Sequence, residues 1–291
     1  MPTAPRPGRS CRPRAAAERL FAVRALTAAA LLAAFVAAVL YLERAVFAAM
    51  VAAIVALGAR EWARLLELTK GQALAYALAC TLAYAMLAAW LQPLRPETTP
   101  LLATWLLAAL FWGVAVPAWL ARGLSEGSRL QLLLAGVAVL LPAALAAAAL
   151  PPGTLLALLG LVWIADTAAY LTGRAFGRRK LAPSISPGKT WAGVAGGVLA
   201  SLAYAIIVAA WWPELGRRVT GTVWPAYLAG VVILCATSIL GDLFESAVKR
   251  RAGVKDSGAL LPGHGGVLDR IDSATAVLPM GALLMAWIGC A

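Results

Sequence analysis

Histidine is almost missing from this chain, and charge is scarce. One histidine, His264, stands among 291 residues, and a single imidazole cannot build a zinc site by itself. The four cysteines, Cys11, Cys80, Cys235 and Cys290, are scattered with no CxxC pair. Neither a thiolate metal site nor a disulfide framework is therefore indicated, and they read as small apolar packing residues. Charged residues make up 13% of the chain, against about 25% in soluble domains, which excludes a soluble globule. An internal repeat is also lacking, which removes support for an inverted-repeat transporter.

What remains is apolar. Hydrophobic residues reach 62% and mean hydropathy is +0.83, with repeated runs long enough to cross a bilayer. Inside lipid a helix satisfies its own backbone groups, so the expected fold is an all-α polytopic integral membrane protein. Nine spans are expected, near 25–42, 45–59, 73–91, 101–120, 130–150, 153–172, 190–212, 225–245 and 273–290. The second is short, and Glu61 and Trp62 are expected to extend it into an interfacial turn. Residues 1–24, rich in Arg and Pro, read as a disordered cytoplasmic tail, with a secretory signal as the rival reading. Residues 25–150 form an N-terminal group of membrane helices. Residues 151–291 form a catalytic membrane region with cytoplasmic loops at 173–190 and 246–272.

The net charge of +12 raises the question of nucleic acid, but the basic residues fall in short loops between spans. Alternating the loops from an inner start leaves only Arg44, Arg95, Arg217 and Arg218 outside. That asymmetry fits the positive-inside bias, places the N-terminus in the cytoplasm, and makes anionic lipid rather than nucleic acid the partner. A multi-pass protein of the inner (cytoplasmic) membrane follows, its active site facing the cytoplasm.

Reactive side chains cluster. The stretch at 246–272, SAVKRRAGVKDSGALLPGHGGVLDRID, holds Asp256, Asp269 and Asp272, three of five aspartates. Asp242 stands just before it and Asp166 lies within the sixth span, where an ionised carboxylate costs a few kcal/mol. Asp166 is expected to face a polar cavity together with Tyr170. Asp242, Glu245, Ser246 and Lys249 share one helical face by their spacing, as do Asp269 and Asp272. Carboxylates with almost no thiol or imidazole suit a hard cation, and Mg2+ completed by phosphate oxygens is the natural occupant. Interhelical salt bridges to Lys249 or Arg270 are the plainer explanation of the same acids.

The basic loop at 173–190 ends in Gly188-Lys189-Thr190, like the tail of a phosphate-binding P-loop. Pro183 occupies the position where that motif needs glycine, and no strand precedes it, so a P-loop NTPase is rejected. Ser184, Ser186, Lys189, Thr190 and nearby amides can still hold phosphate oxygens beside a helix start. His264 lies between Gly263 and Gly265-Gly266, and glycines permit close approach of a substrate.

These residues carry a resemblance. Ser246, Lys249-Arg250, Lys255-Asp256, His264-Gly265-Gly266, Asp269-Arg270 and Asp272 resemble, spacing included, the signature of the phosphatidate cytidylyltransferases. The likeness extends to Asp166, Tyr170, Gly173, Phe176-Gly177, the stretch from Ser184 to Pro187, and Lys189-Thr190. Two features depart from the family: Gly188 stands where a lysine is frequent, and the Arg/Pro-rich tail looks like an addition. The resemblance implies conversion of CTP and phosphatidate to CDP-diacylglycerol and diphosphate, with Mg2+ and room for an accompanying K+. It implies Asp242 and Asp269 as metal ligands, and Asp166, Lys249, Asp269 and Asp272 as the catalytic set. The substrate-binding set is Ser184, Ser186, Lys189, Thr190, Ser246, Arg250, Lys255, Asp256, His264, Gly265, Gly266 and Arg270. A homodimer is permitted by the Gly-rich seventh span without being required. The alternatives are a CTP-dependent polyprenol or lipid kinase, and a transporter of an anionic solute.

Overall fold

The computed structural model describes residues 30, 32–92, 94–124, 127–260 and 265–290. The chain falls into two units, residues 1–42 and residues 43–291. Within the first, Leu32–Tyr41 (α1) is a short apolar helix; the rest of the expected first span and the basic tail lie outside the described residues.

The second unit is helical almost throughout. Among the described residues, eight helices are long and apolar enough to cross a membrane. They are α2 (Arg44–Leu65), α3 (Lys70–Trp90), α4 (Thr99–Arg122), α5 (Arg129–Ala149), α6 (Pro152–Phe176), α7 (Trp191–Trp211), α9 (Val223–Arg251) and α10 (Leu268–Ile288). Between the last two pairs lies a short helix, α8 (Pro213–Arg218). Two strands, β1 (Lys180–Ala182) and β2 (Ser186–Thr190), form an antiparallel hairpin between α6 and α7. The expectation of an all-α membrane bundle holds, with that hairpin as its one addition among the described residues.

Local chemistry sets the boundaries. Thr69 and Ser128 close capping boxes with Gln72 and Gln131 at the starts of α3 and α5, satisfying amide donors that the helix itself leaves unpaired. Pro152 and Pro213 sit in the first turns of α6 and α8, where a missing N–H removes nothing. Pro117, by contrast, lies within α4, next to a π-helical turn at Phe111–Ala115, and an interior proline forces such an adjustment of the hydrogen-bond ladder. The turn helps aim Phe111 and Trp112 at Phe244 of α9, with ring centroids 5.9 and 6.0 Å away.

Helices pack where side chains are small. The glycines of α7 are spent on α6: a Cβ at Gly193 would fall 2.7 Å from the Ala169 carbonyl oxygen, and one at Gly196 would overlap Thr172. Their small size, expected from the sequence to permit self-association, is used within the chain. Gly241 of α9 does the same against the Asp272 carbonyl of α10, where a Cβ would come within 2.6 Å. These contacts let backbones approach without a hydrophobic drive between helices.

Three expected boundaries move. Glu61 and Trp62 are buried in the last turns of α2 rather than in an interfacial turn. The loop expected at 173–190 is an end of α6 followed by the hairpin. The loop expected at 246–272 shrinks, because α9 runs on to Arg251 and α10 begins at Leu268. Charged residues marked those segments as extramembranous in the sequence, yet polar helix ends continue a helix as readily as apolar ones.

Trp62 and Tyr76 both donate to α5, to the carbonyls of Leu132 (2.9 Å) and Leu133 (2.7 Å). Gly136 makes room for both rings, since a Cβ there would lie 2.5 Å from each polar tip. Gly136→Ala should lower unfolding stability by about 1–3 kcal/mol, measured by denaturant titration in detergent. An unchanged midpoint would refute the fit.

Candidate active site

The site is built at the end of the bundle where α6, α9 and the hairpin meet the start of α10. Helical spacing gives the first contacts. Ser246 donates to Asp242 Oδ1 at 3.2 Å, and Lys249 Nζ lies 3.1 Å from Glu245 Oε1. The face predicted from 242, 245, 246 and 249 is therefore real, and it carries two separate pairs.

One group of side chains is closed around Lys249, with the buried carboxylate of Glu245 making no hydrogen bond. Lys249, 9% exposed, places its ammonium between Glu245 of its own helix and Asp269 of α10, 2.6 Å from Asp269 Oδ1. The other oxygen of Asp269 accepts from the amides of Ser257 (2.9 Å) and Gly266 (2.8 Å). The Ser257 hydroxyl lies 3.0 Å from both Asp269 Oδ2 and Glu61 Oε2, so its single proton is shared between two carboxylates. Glu61, reaching in from α2, also accepts from the amides of Val267 (3.0 Å) and Leu268 (2.9 Å). Those are unpaired donors at the start of α10, and a carboxylate there also meets the positive end of the helix dipole. Behind Glu245 the wall is aromatic, formed by Trp62, Trp112 and Phe244.

A second group is open. Lys189 of β2 pairs with Asp242 Oδ2 at 2.7 Å and reaches the Ile239 carbonyl at 3.5 Å. Asp166 of α6 interacts with Lys189, with Asp242 and with the Ser273 side chain. Asp272 of α10 lies within electrostatic range of Asp242, Asp166 and Lys249, and its Oδ1 accepts from the Ser273 amide at 2.7 Å. Three carboxylates from three helices thus lie within electrostatic range of one another, and two of them interact with Lys189 of the hairpin.

The hairpin is held from both sides. The Trp191 amide donates to the Arg179 carbonyl at 3.1 Å, and the Arg179 guanidinium lies 5.9 Å from the Trp191 ring centroid. Arg250 of α9 donates to the carbonyls of Ile185 and Val254, both at 3.3 Å, tying the hairpin to the loop after α9. Thr190, expected as a phosphate contact, is buried and accepts from the Gly193 amide at 3.1 Å. Its hydroxyl caps α7.

Other expected site residues fall as follows. Ser184 is exposed in the hairpin turn and Ser186 opens β2; Lys255 and Asp256 are exposed on the loop after α9. Arg270 is exposed on the first turn of α10. Gly266 donates to Asp269, and Gly265 takes φ +79°, a left-handed conformation that suits glycine. His264 lies outside the described residues. Tyr170 is 62% exposed and its hydroxyl accepts from Arg174 at 3.4 Å.

The expected metal pair, Asp242 and Asp269, is divided between the two groups. The oxygens of Asp269 are engaged by Lys249, Ser257 and Gly266, whereas Asp242 faces Lys189. Among the described residues no group of three or more acidic, cysteine or histidine side chains stands so that it could hold a metal ion by itself. The open group, with more carboxylates than lysines, has a donor set that fits a hard cation arriving with phosphate oxygens of its own.

Glu61 and Glu245 were named from the sequence but given no catalytic, substrate or metal role there. A signal existed for each. Glu61 is an acid at the end of an apolar span, and Glu245 lies on the face predicted from Asp242 to Lys249.

A family model described as the cytidylyltransferase family matches residues 22–288. The chain belongs to this family. It is 42% identical over 270 residues to a phosphatidate cytidylyltransferase of Pseudomonas aeruginosa, covering 90% of this chain and 96% of that one. A protein of the same name from Haemophilus influenzae is 52% identical over 122 residues, 41% of either chain. Another from Brucella suis is 47% identical over 123 residues, 42% of this chain and 43% of that one. The matched family segment contains every carboxylate and lysine of both groups.

Glu61→Ala would leave the amides of Val267 and Leu268 at the start of α10 without their acceptor, at about 1–3 kcal/mol for each. Hydrogen exchange at Val267 and Leu268 should accelerate, with the bundle core unaffected. Parental exchange rates at those two amides would show that Glu61 does not hold α10.

Proposed function

We propose that the chain transfers the cytidylyl group of CTP to phosphatidate, forming CDP-diacylglycerol and releasing diphosphate. The reading rests on family membership across nearly the whole chain. The observation that carries it is the carboxylate group Asp166, Asp242 and Asp272, with Asp242 paired to Lys189, beside a basic hairpin at a membrane surface.

An oxygen of the lipid phosphate attacks the α-phosphorus of CTP. The new P–O bond forms as the bond to the bridging oxygen of the β-phosphate breaks, and that electron pair leaves with diphosphate. The attacking oxygen is ionised at neutral pH, so no strong general base is required. A chain with one histidine can therefore run this chemistry by positioning and charge neutralisation.

Lys189 and Ser186 on the hairpin hold the nucleotide phosphates. Arg250, Lys255 and Arg270 hold the lipid phosphate and the departing diphosphate from the opposite side. Lys249, fixed between Glu245 and Asp269, keeps the start of α10 in place and offsets the charge of the acids. Asp242, with Asp166 and Asp272, is the set we assign to hold Mg2+, which when bound neutralises phosphate charge. In this assignment Asp272 replaces Asp269. The basic end of the bundle faces the cytoplasm from the inner membrane, in line with the positive-inside bias.

With purified protein, Mg2+ and phosphatidate, CTP labelled at the α-phosphate should yield labelled lipid, and γ-labelled CTP should not. Label entering from the γ-position would instead identify a lipid kinase. Asp242→Asn should lower turnover by about 100-fold or more and shift the Mg2+ dependence to higher concentration. Parental turnover at low Mg2+ would remove Asp242 from the ion site.

A further inference from the structure

A second site lies at the other end of the bundle. α6 runs from Pro152 at that end to Phe176 near the hairpin, roughly 35 Å at 1.5 Å per residue, about the thickness of a bilayer core. Here a cavity of about 410 Å3 is lined by Pro151, Thr154, Trp212, Glu214, Arg217, Arg218, Gly289 and Cys290. Nothing in the nucleotidyl-transfer chemistry uses it.

Its charges are not spent on one another. Glu214, Arg217 and Arg218 follow i, i+3, i+4 spacing on α8, yet among the described residues neither guanidinium forms an ion pair with that carboxylate or any other. The Thr154 hydroxyl, on a residue with no exposed surface, has no hydrogen-bond partner. A buried hydroxyl without a partner is costly. It sits in the first turn of α6, where backbone amides are unpaired and the helix dipole favours an anion. Trp212 covers that turn, with its ring 3.7 Å from where a Cβ on Gly153 would be.

The depth of the cavity is marked by tryptophan. Trp90, Trp211 and Trp287, at the corresponding ends of α3, α7 and α10, are 75%, 85% and 61% exposed. Exposed indole rings at helix ends favour the headgroup layer. Two guanidiniums, an unpaired hydroxyl and one carboxylate at that depth form a composite with one negative and two positive charges.

We propose that this cavity binds the headgroup of a zwitterionic, amine-bearing phospholipid. Arg217, Arg218 and the start of α6 take the phosphodiester, and Glu214 takes the ammonium group. A simple anion would leave the Glu214 carboxylate against it; a phosphoethanolamine uses all three charges. The rival role for Arg218 is internal, because its Nη1 would lie 2.5 Å from a Cβ on Gly289 and so covers the carbonyl end of α10.

The test uses the intact chain, delipidated in detergent, with phosphatidylethanolamine, phosphatidylglycerol or inorganic phosphate added in turn. Native mass spectrometry reads retained lipid, and thermal unfolding reads stabilisation. Phosphatidylethanolamine should be retained and raise Tm, more than phosphatidylglycerol does, with inorganic phosphate inert. Arg217→Ala, on an exposed residue, should weaken retention by roughly tenfold without lowering Tm in lipid-free detergent. The Arg217→Ala/Arg218→Ala pair should weaken it further, and Glu214→Gln should erase the preference over phosphatidylglycerol. Equal retention by Arg217→Ala and the parent would overturn the site. Equal binding of the two lipids, or the same Tm gain from inorganic phosphate, would overturn the assigned ligand.

Discussion

A carboxylate within a lipid-embedded bundle has to find its donors in protein, and the structure depends on how Glu61 and Asp269 do so. Between them they draw on one ammonium, one hydroxyl and four amides, from α9, α10 and the loop before α10. Each donor would be costly to leave unpaired at that depth. The arrangement therefore fixes where α10 begins and how it meets α9. Asp272, one turn further along α10, is positioned as a consequence.

That arrangement separates holding from chemistry. Asp269, with both oxygens engaged by Lys249, Ser257 and Gly266, is poorly suited to take an incoming cation or phosphate. Asp166, Asp242 and Asp272 stand on three helices within electrostatic range of one another, with Asp242 paired to the hairpin's Lys189. The hairpin matters for the same reason: capped by Thr190 onto α7 and bound by Arg250, it carries Lys189 across to α9 at a fixed position. Lysine on an unrestrained loop would cost more entropy to place.

Much of this was legible from residue order. Hydropathy alone placed nine membrane spans, eight of which are long helices among the described residues, because their length is imposed by the bilayer. The spacing from Asp242 to Lys249 forecast both contacts on that face, since i, i+4 neighbours touch whatever surrounds them. Asp166 was visible as an acid inside an apolar run. Glu61 was not, because its meaning comes from Val267 and Leu268, some 200 residues later in the chain, and local periodicity carries no record of so distant a partner. Thr190 misled in the opposite sense: its neighbours resemble a phosphate loop, while its hydroxyl serves a helix end.

The sequence by itself determined that the chain is a helical membrane protein, that its reactive residues concentrate at 166–190 and 242–272, and which family it resembles. Those properties follow from composition, bilayer thickness and short-range spacing. Only the tertiary structure decided which acids are spent on holding α10 and which remain open, because that depends on contacts among α2, α6, α9, α10 and the hairpin. It also brought Thr154, Glu214, Arg217 and Gly289 to one cavity, since antiparallel packing joins helix ends far apart in the chain.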